Sequence, residues 1–263
     1  MEFETLRLEK PAPAVARIVL NRPQARNALN LQTALELREA LRRVDMDASV
    51  RAVILTGEGK AFCAGGDVGA FHAALPSPTQ LIKDIVLPLH DAVAIMTHMD
   101  KPVIAAAPGV VAGAGVGLLL AADLGIAAES VKISLAYTGI GASPDGGTTF
   151  YLPRLIGIRR AMELVLENRL LEANEALSFG LLNAVVPDGE LQERALERAQ
   201  RLAAGPTRAF GTAKRLLHAS FESALETQLL REGRGIAAMA GTEDFAEGVT
   251  AFAGKRKPDF KGK

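Results

Sequence analysis

The sequence predicts an α/β fold, a largely parallel sheet covered by helices and followed by a helical C-terminal region. Two observations carry this. In the first half, short apolar β-rich runs alternate with segments whose apolar residues recur at helical spacing, the pattern of strands joined by crossover helices. Beyond about residue 190, only helical periodicity remains.

Val15 to Leu20 reads as a strand that ends at the turn Asn21-Arg22-Pro23. Asn30 is placed to cap a helix with Leu31, Leu35, Leu41 and Val44 near one face. Val53-Ile54-Leu55, bounded by Gly57 and Gly59, reads as a buried strand, and Ile82, Ile85, Val86, Leu89, Val93 and Met96 mark an amphipathic helix. Val103 to Ala107 is a strand, Gly115 to Ala122 a buried helix, and Leu124 to Ala128 a further strand. The helices expected after that are Leu191–Ala204, Pro206–His218, Phe221–Met239 and Glu243–Phe252, with Pro206 suited to a first helical position. The chain therefore divides into residues 1–190, expected to hold the sheet and the site, and 191–263, a helical subdomain. No sequence repeat is visible.

Thirty basic residues balance thirty acidic ones, so the overall charge points to neither nucleic acid nor an anionic membrane as partner. One cysteine, Cys63, excludes an intrachain disulfide framework and suits a reducing, cytoplasmic setting. The start, MEFETLRLEK, mixes both charge signs and lacks the apolar run of a signal peptide. Pro102 to Ala122 contains no charge and approaches the ~20 residues of a membrane span. Pro102, Pro108-Gly109 and the glycines at 113, 115 and 117 interrupt it, so strand, turn and buried helix are expected instead.

Three segments can carry chemistry, each beside a structural alternative. In Lys60-Ala-Phe-Cys-Ala-Gly-Gly-Asp67-Val68, small residues let a ligand approach the backbone, and Asp67 can cap the next helix; a tight turn explains the same residues. In Pro108-Gly109-Val-Val-Ala-Gly113-Ala114-Gly115-Val-Gly117, glycines open a buried helix whose free N–H groups and dipole suit an oxyanion; close helix–sheet packing also needs small residues. A dinucleotide fingerprint fails there, because Leu118 stands where its third glycine would be. In Gly139-Ile-Gly141-Ala-Ser-Pro144-Asp145-Gly146-Gly147-Thr148, a turn is one reading. A base with a raised pKa, with Ile140, Ala142 and Tyr137 around it, is the other. Cys63 reads as a small buried residue. His72, His90, His98 and His218 show no metal-ligand pattern.

Together these segments resemble the crotonase, or enoyl-CoA hydratase/isomerase, superfamily. Asn21-Arg22-Pro23 with Asn27-Ala28-Leu29 resembles its opening motif, and Ala61-Phe-Cys-Ala-Gly-Gly-Asp67 its first oxyanion loop. Lys101-Pro-Val-Ile-Ala-Ala with Gly109 and Gly113-Ala-Gly resembles the second oxyanion loop. The likeness continues through Leu152-Pro-Arg154-Leu-Ile-Gly157 and Gly180-Leu-Leu-Asn183 to Lys255-Arg-Lys-Pro258-Asp-Phe260, covering about residues 5–262.

The resemblance implies a spiral of β-β-α turns and, from its apolar C-terminal helices, a homotrimer or dimer of trimers. It implies an acyl-CoA thioester substrate, with coenzyme A as part of the substrate and no further cofactor or metal. The N–H groups of Gly66 and Ala114 would stabilise the thioester enolate, and Asp145 would be the acid/base. Arg26, Ala64, Gly65, Asp67, Val68, Gly113, Tyr137 and Lys257 would contact substrate or coenzyme A, and residues 69–87, with Phe71, His72, Leu75, Pro76, Leu81 and Ile82, would line an acyl tunnel. The two glutamates of family hydratases would fall at Gly117 and Tyr137, and both are missing. The Pro-Asp-Gly-Gly-Thr loop resembles the isomerase branch that includes the epoxyphenylacetyl-CoA isomerase. Alternatives are a hydratase of fatty-acid or aromatic-acid degradation, and a dehalogenase-like hydrolase with Asp145 as nucleophile and His90 as its base. A non-catalytic acyl-CoA binder is the remaining one.

Overall fold

The computed structural model describes residues 2–263. The chain begins with β1 (Leu6–Ala12) and β2 (Val15–Leu20), followed by α1 (Leu31–Met46). The Asn30 side chain accepts the Thr33 N–H and caps α1, as its position before the apolar run predicts. The face α1 buries is Ala34, Leu37, Leu41 and Val44; Leu31 and Leu35 lie at its margin.

Three strand–strand–helix units follow. The first is β3 (Ala52–Gly57), β4 (Ala61–Cys63), α2 (Val68–Ala73) and α3 (Thr79–His98). The second is β5 (Val103–Ala107), β6 (Val110–Ala112) and α4 (Ala114–Ala121), and the third is β7 (Leu124–Ala128), β8 (Lys132–Ser134) and α5 (Thr148–Ile156). In each unit the first strand enters a six-stranded sheet, of order β1-β2-β3-β5-β7-β10. The second enters a four-stranded sheet, of order β4-β6-β8-β9. This is the β-β-α spiral. The uncharged stretch from Pro102 is thus β5, β6 and α4, and no helix of the described residues is long and apolar enough to cross a membrane. Between the units and the C-terminal helices lie α6 (Ile158–Glu167), β9 (Leu171–Glu172), α7 (Ala173–Phe179) and β10 (Ala184–Val186).

All pairings between β2, β3, β5, β7 and β10 are parallel, and only β1 runs antiparallel at the edge. Strands covered on both faces need continuous apolar sequence, which is why β3 and β5 are buried at every position. In the second sheet, β4, β6 and β8 are parallel neighbours, so their C-terminal ends lie side by side.

The C-terminal helices are α8 (Leu191–Ala203), α9 (Thr207–Ser220), α10 (Leu225–Ala240) and α11 (Glu243–Ala253). Helix α8 presents buried Ala195, Ala199 and Ala203 to β3, β5 and β7, small residues that let a helix sit close on a sheet. Helix α10 starts four residues later than its sequence suggests, since Phe221 to Ala224 form the turn that reverses the chain after α9. Lys214 of α9 is nearly buried, and its Nζ donates to Asp123 Oδ2 and the Met96 carbonyl at 2.8 and 2.6 Å, tying α9 to the spiral. Lys101, part of the second family-like motif, also has a structural task here. Its buried Nζ donates to the carbonyls of Val44, Asp45 and Asp47, closing the C-terminus of α1, and burial lowers its pKa.

Candidate active site

Each second strand of the spiral runs straight into a segment singled out in the sequence. After β4 come Ala64, Gly65 and Gly66; after β6 come Gly113 and Ala114; after β8 the chain passes through Tyr137 to the Asp145 turn. Because the three strands are parallel neighbours, these segments converge. Ala64, Gly65, Gly66, Val68, Gly113, Ala114, Tyr137 and Asp145 all line one cavity of about 780 Å³. Its far wall is apolar and comes from α2, α3 and the stretch between them. Phe71, His72, Leu75 and Ile82 are there as expected, while Pro78, Ile85, Val86 and Leu89 take part instead of Pro76 and Leu81.

The two glycine segments approach backbone to backbone. Gly113 adopts φ +49°, ψ −127°, which an L side chain rarely reaches, and a Cβ there would stand 3.4 Å from the Gly65 Cα. Neither the Gly66 nor the Ala114 N–H has an acceptor among the described residues, and Ala114 is the first residue of α4, at the positive end of its dipole. Two unpaired donors in one cavity can hold a carbonyl oxygen that gains negative charge.

Asp145 is half-buried. Burial, acting chiefly by removing water from the carboxylate, raises its pKa, and the Tyr137 hydroxyl, which donates to Oδ1 at 2.8 Å, opposes that rise. Desolvation and the adjacent carboxylate push the Tyr137 phenol upward, so it stays a neutral donor. The apolar surround expected from Ile140 and Ala142 is not what buries Asp145: both are exposed, Ile140 at 58%, and they form the cavity's mouth. The buried wall is Tyr137.

Beneath the turn lies Gly117, where a Cβ would meet the Gly146 carbonyl oxygen at 2.4 Å and its carbon at 3.0 Å. The backbone of the Asp145 turn thus fills the space into which a longer side chain at 117 would point. Nothing in the single sequence signals this contact, because it joins two segments about thirty residues apart.

Four anticipated site residues lie elsewhere. Asp67 caps α2 by accepting the Ala70 N–H and pairs with Arg22 at 3.0 Å, so its carboxylate holds the loop and is absent from the cavity lining. Arg26 is exposed outside the lining, and its carbonyl accepts the Ala64 N–H. Lys257 is exposed on the C-terminal tail, which is anchored by Arg51 on the Phe260 carbonyl and by Asp244 on the Lys261 and Gly262 N–H groups. His90 follows Leu89 on α3 but lines a second cavity behind the turn, where its Nε2 accepts the Gly146 N–H at 3.2 Å. Cys63 is fully buried and its thiol is pushed up to about 12, chiefly by burial, which removes it as a nucleophile.

The Enoyl-CoA hydratase/isomerase family model matches residues 11–263. A "Probable enoyl-CoA hydratase" of Rhodobacter capsulatus is 40% identical over 263 residues, covering all of both chains. The 1,2-epoxyphenylacetyl-CoA isomerase of Escherichia coli is 38% identical over 268 residues, again with both chains covered in full. A 4-chlorobenzoyl coenzyme A dehalogenase of an Arthrobacter species is 37% identical, over 92% of this chain and 88% of its own. Among solved structures, the enoyl-CoA hydratase of Bacillus anthracis superposes with a TM-score of 0.92 at 35% identity, over 99% of this chain and 100% of that one. The chain belongs to the enoyl-CoA hydratase/isomerase family, the crotonase superfamily, and is an enzyme of that family.

Proposed function

We propose that this enzyme moves a carbon–carbon double bond within an enoyl-CoA thioester. The Gly66 and Ala114 N–H groups hold the thioester oxygen. Asp145 takes a proton from one carbon, leaving an enolate, and returns it to another, so that substrate and product have the same composition. Coenzyme A enters as part of the substrate; no other cofactor or metal takes part in this scheme. The observation that carries the reading is that Asp145 is the one carboxylate among the described residues lining the cavity, with the backbone of Gly146 filling the space over Gly117. One acid/base suffices for a proton shift, whereas adding water across a conjugated bond uses two positioned groups in the hydratases that this chain resembles. The 38% identity to an isomerase supports the same assignment. Ala64, Gly65, Gly66 and Val68 line the cavity where the adenine and pantetheine of coenzyme A would lie, with Arg26 and Lys257 as candidates for its phosphates.

The hydrolytic alternative, with Asp145 as nucleophile, has the 37% identical dehalogenase in its favour. Against it stands His90: the imidazole needed to activate water lies outside the acyl cavity, with its Nε2 already engaged. The deciding experiment offers trans-2-enoyl-, trans-3-enoyl- and aryl-CoA esters to the wild type and Asp145→Ala, scoring isomerisation, hydration and hydrolysis separately. Isomerisation that vanishes with Asp145 is expected; turnover confined to hydrolysis or hydration would reject the assignment, and binding without turnover would make the chain a binder.

The pH dependence has a definite sign. Tyr137 holds the Asp145 pKa down, so Tyr137→Phe should raise it further. Because the base must be ionised, the acid limb of the isomerisation profile should move to higher pH, seen by measuring kcat/KM between pH 4 and 9 on roughly half-unit steps.

We further propose a cytoplasmic homotrimer or dimer of trimers. The C-terminal helices and the turn between α9 and α10 leave large apolar side chains in water, including Leu217, Phe221, Leu225, Leu230, Ile236 and Phe252. Solution scattering at micromolar concentration should give a mass of three or six chains; a monomer would contradict the assembly.

A further inference from the structure

The Asp145 turn separates two cavities. In front is the acyl cavity; behind it is a cavity of about 750 Å³ lined by His90, Thr97, Gly147, Tyr151, Arg215 and His218, among others. Successive residues of α3 serve the two sides, Leu89 facing the front and His90 the back. The turn is held from three directions. Tyr137 fixes the Asp145 carboxylate from the front, the Gly146 carbonyl rests over Gly117 from below, and His90 receives the Gly146 N–H from behind.

Gly146 is buried, so its N–H needs a partner, and among the described residues that partner is the imidazole. A nitrogen that accepts an N–H carries no proton, which assigns the His90 proton to Nδ1. The geometry points to His90 as a positioning residue, whose Nε2 fixes the Gly146 N–H and through it the direction in which Asp145 meets the acyl carbons. This rests on Asp145 being the acid/base. It gives His90 a role different from that of a base: the lone pair a base would use is committed to the backbone, and the residue lines the rear cavity and not the acyl cavity.

The test compares His90→Ala, which removes the acceptor, with His90→Gln, whose side-chain carbonyl can take the same N–H. Small displacements of a reacting group cost rate more than binding. His90→Ala should therefore lose ~10-fold or more in kcat for isomerisation, with KM for the enoyl-CoA ester within ~2-fold of wild type, and His90→Gln should recover most of the loss. Since His90 is exposed on its outer side, thermal melts of both variants should stay close to wild type. A Gln variant as impaired as Ala, an Ala variant at the wild-type rate, or an effect on KM alone would each overturn the assignment. An independent readout does not need turnover: long-range ¹H–¹⁵N spectra of the wild-type imidazole should show Nε2 unprotonated and Nδ1 protonated. A protonated Nε2 would reject the inference even if isomerisation by Asp145 stands. An unprotonated Nε2 in a protein with no isomerase activity would instead leave the anchor in place and the reaction misassigned.

Discussion

Asp145→Asn should lower double-bond migration by ~10²-fold or more while leaving affinity for the coenzyme A ester within a few-fold. Asparagine keeps the shape of the side chain and can still accept the Tyr137 hydroxyl through its Oδ1, so the turn and both N–H donors remain; only the base is lost. Steady-state kinetics with a trans-3-enoyl-CoA ester, paired with calorimetric binding of the product, separate the two effects. An Asn variant with wild-type turnover would remove Asp145 from the mechanism. The same substitution has an opposite effect on stability. A carboxyl whose folded pKa is raised contributes stability below its unfolded pKa and loses it as pH rises through the folded value. At neutral pH the wild type therefore bears the cost of a half-buried charge that Asn does not. Asp145→Asn should melt at a higher temperature than wild type at pH 7, and the difference should shrink toward pH 4.

The second large effect concerns Gly117, where the family resemblance would place a hydratase glutamate. Wild-type hydration of crotonyl-CoA should be at least ~10²-fold below that of an enzyme with both glutamates, since one positioned acid/base contributes ~10²–10⁴. Restoring the residue should not restore the reaction. A Cβ at 117 would lie 2.4 Å from the Gly146 carbonyl oxygen, a backbone atom that cannot swing aside as a side chain can. Gly117→Glu should force the Asp145 turn outward, lose isomerisation, gain no hydration, and lower the unfolding free energy by ~1–3 kcal/mol or more in urea titration. A Glu variant that hydrates crotonyl-CoA at an ordinary rate would show that the turn is more yielding than its packing implies.

Much of the first sheet was legible because its physics is local. Val53–Leu55 and Val103–Ala107 are continuous apolar runs, as strands covered on both faces must be, and Val15–Leu20 is interrupted only by Arg17, which pairs with Glu9 of the edge strand. Asn30 and Asp67 announced their helices through side chains that cap them. The second sheet left little trace. Strands β4, β6 and β8 have three residues each, too few to show a period, and their crossovers differ in length, so a threefold structural repeat carries no sequence repeat. The candidate site shows the same divide. Gly66, Ala114 and Asp145 stood out through family-like motifs, and the cavity unites them. Tyr137 was expected beside Asp145, though not as a hydrogen-bond donor to it; what stayed hidden were contacts between distant segments, Gly146 over Gly117 and His90 behind the turn. Asp67 reached the binding set by proximity in sequence, and its pairing with Arg22 turns it away from the cavity.

The three second strands end side by side, and on the proposed reading each coil of the spiral hands the site one function. The first supplies one donor and, through α2 and α3, the wall around the acyl group; the second supplies the other donor; the third supplies the carboxylate. Most of the acyl wall and the proton-transfer group are therefore written in different stretches of chain, with Ile140 and Ala142 of the third coil adding only the mouth. Residues 68–89 can change which acyl group fits while the proton-transfer group is kept, and Asp145 can be exchanged while the wall from α2 and α3 is kept. A lineage carrying this scaffold can thus acquire a new substrate and a new reaction in independent steps, each tried while the other is kept.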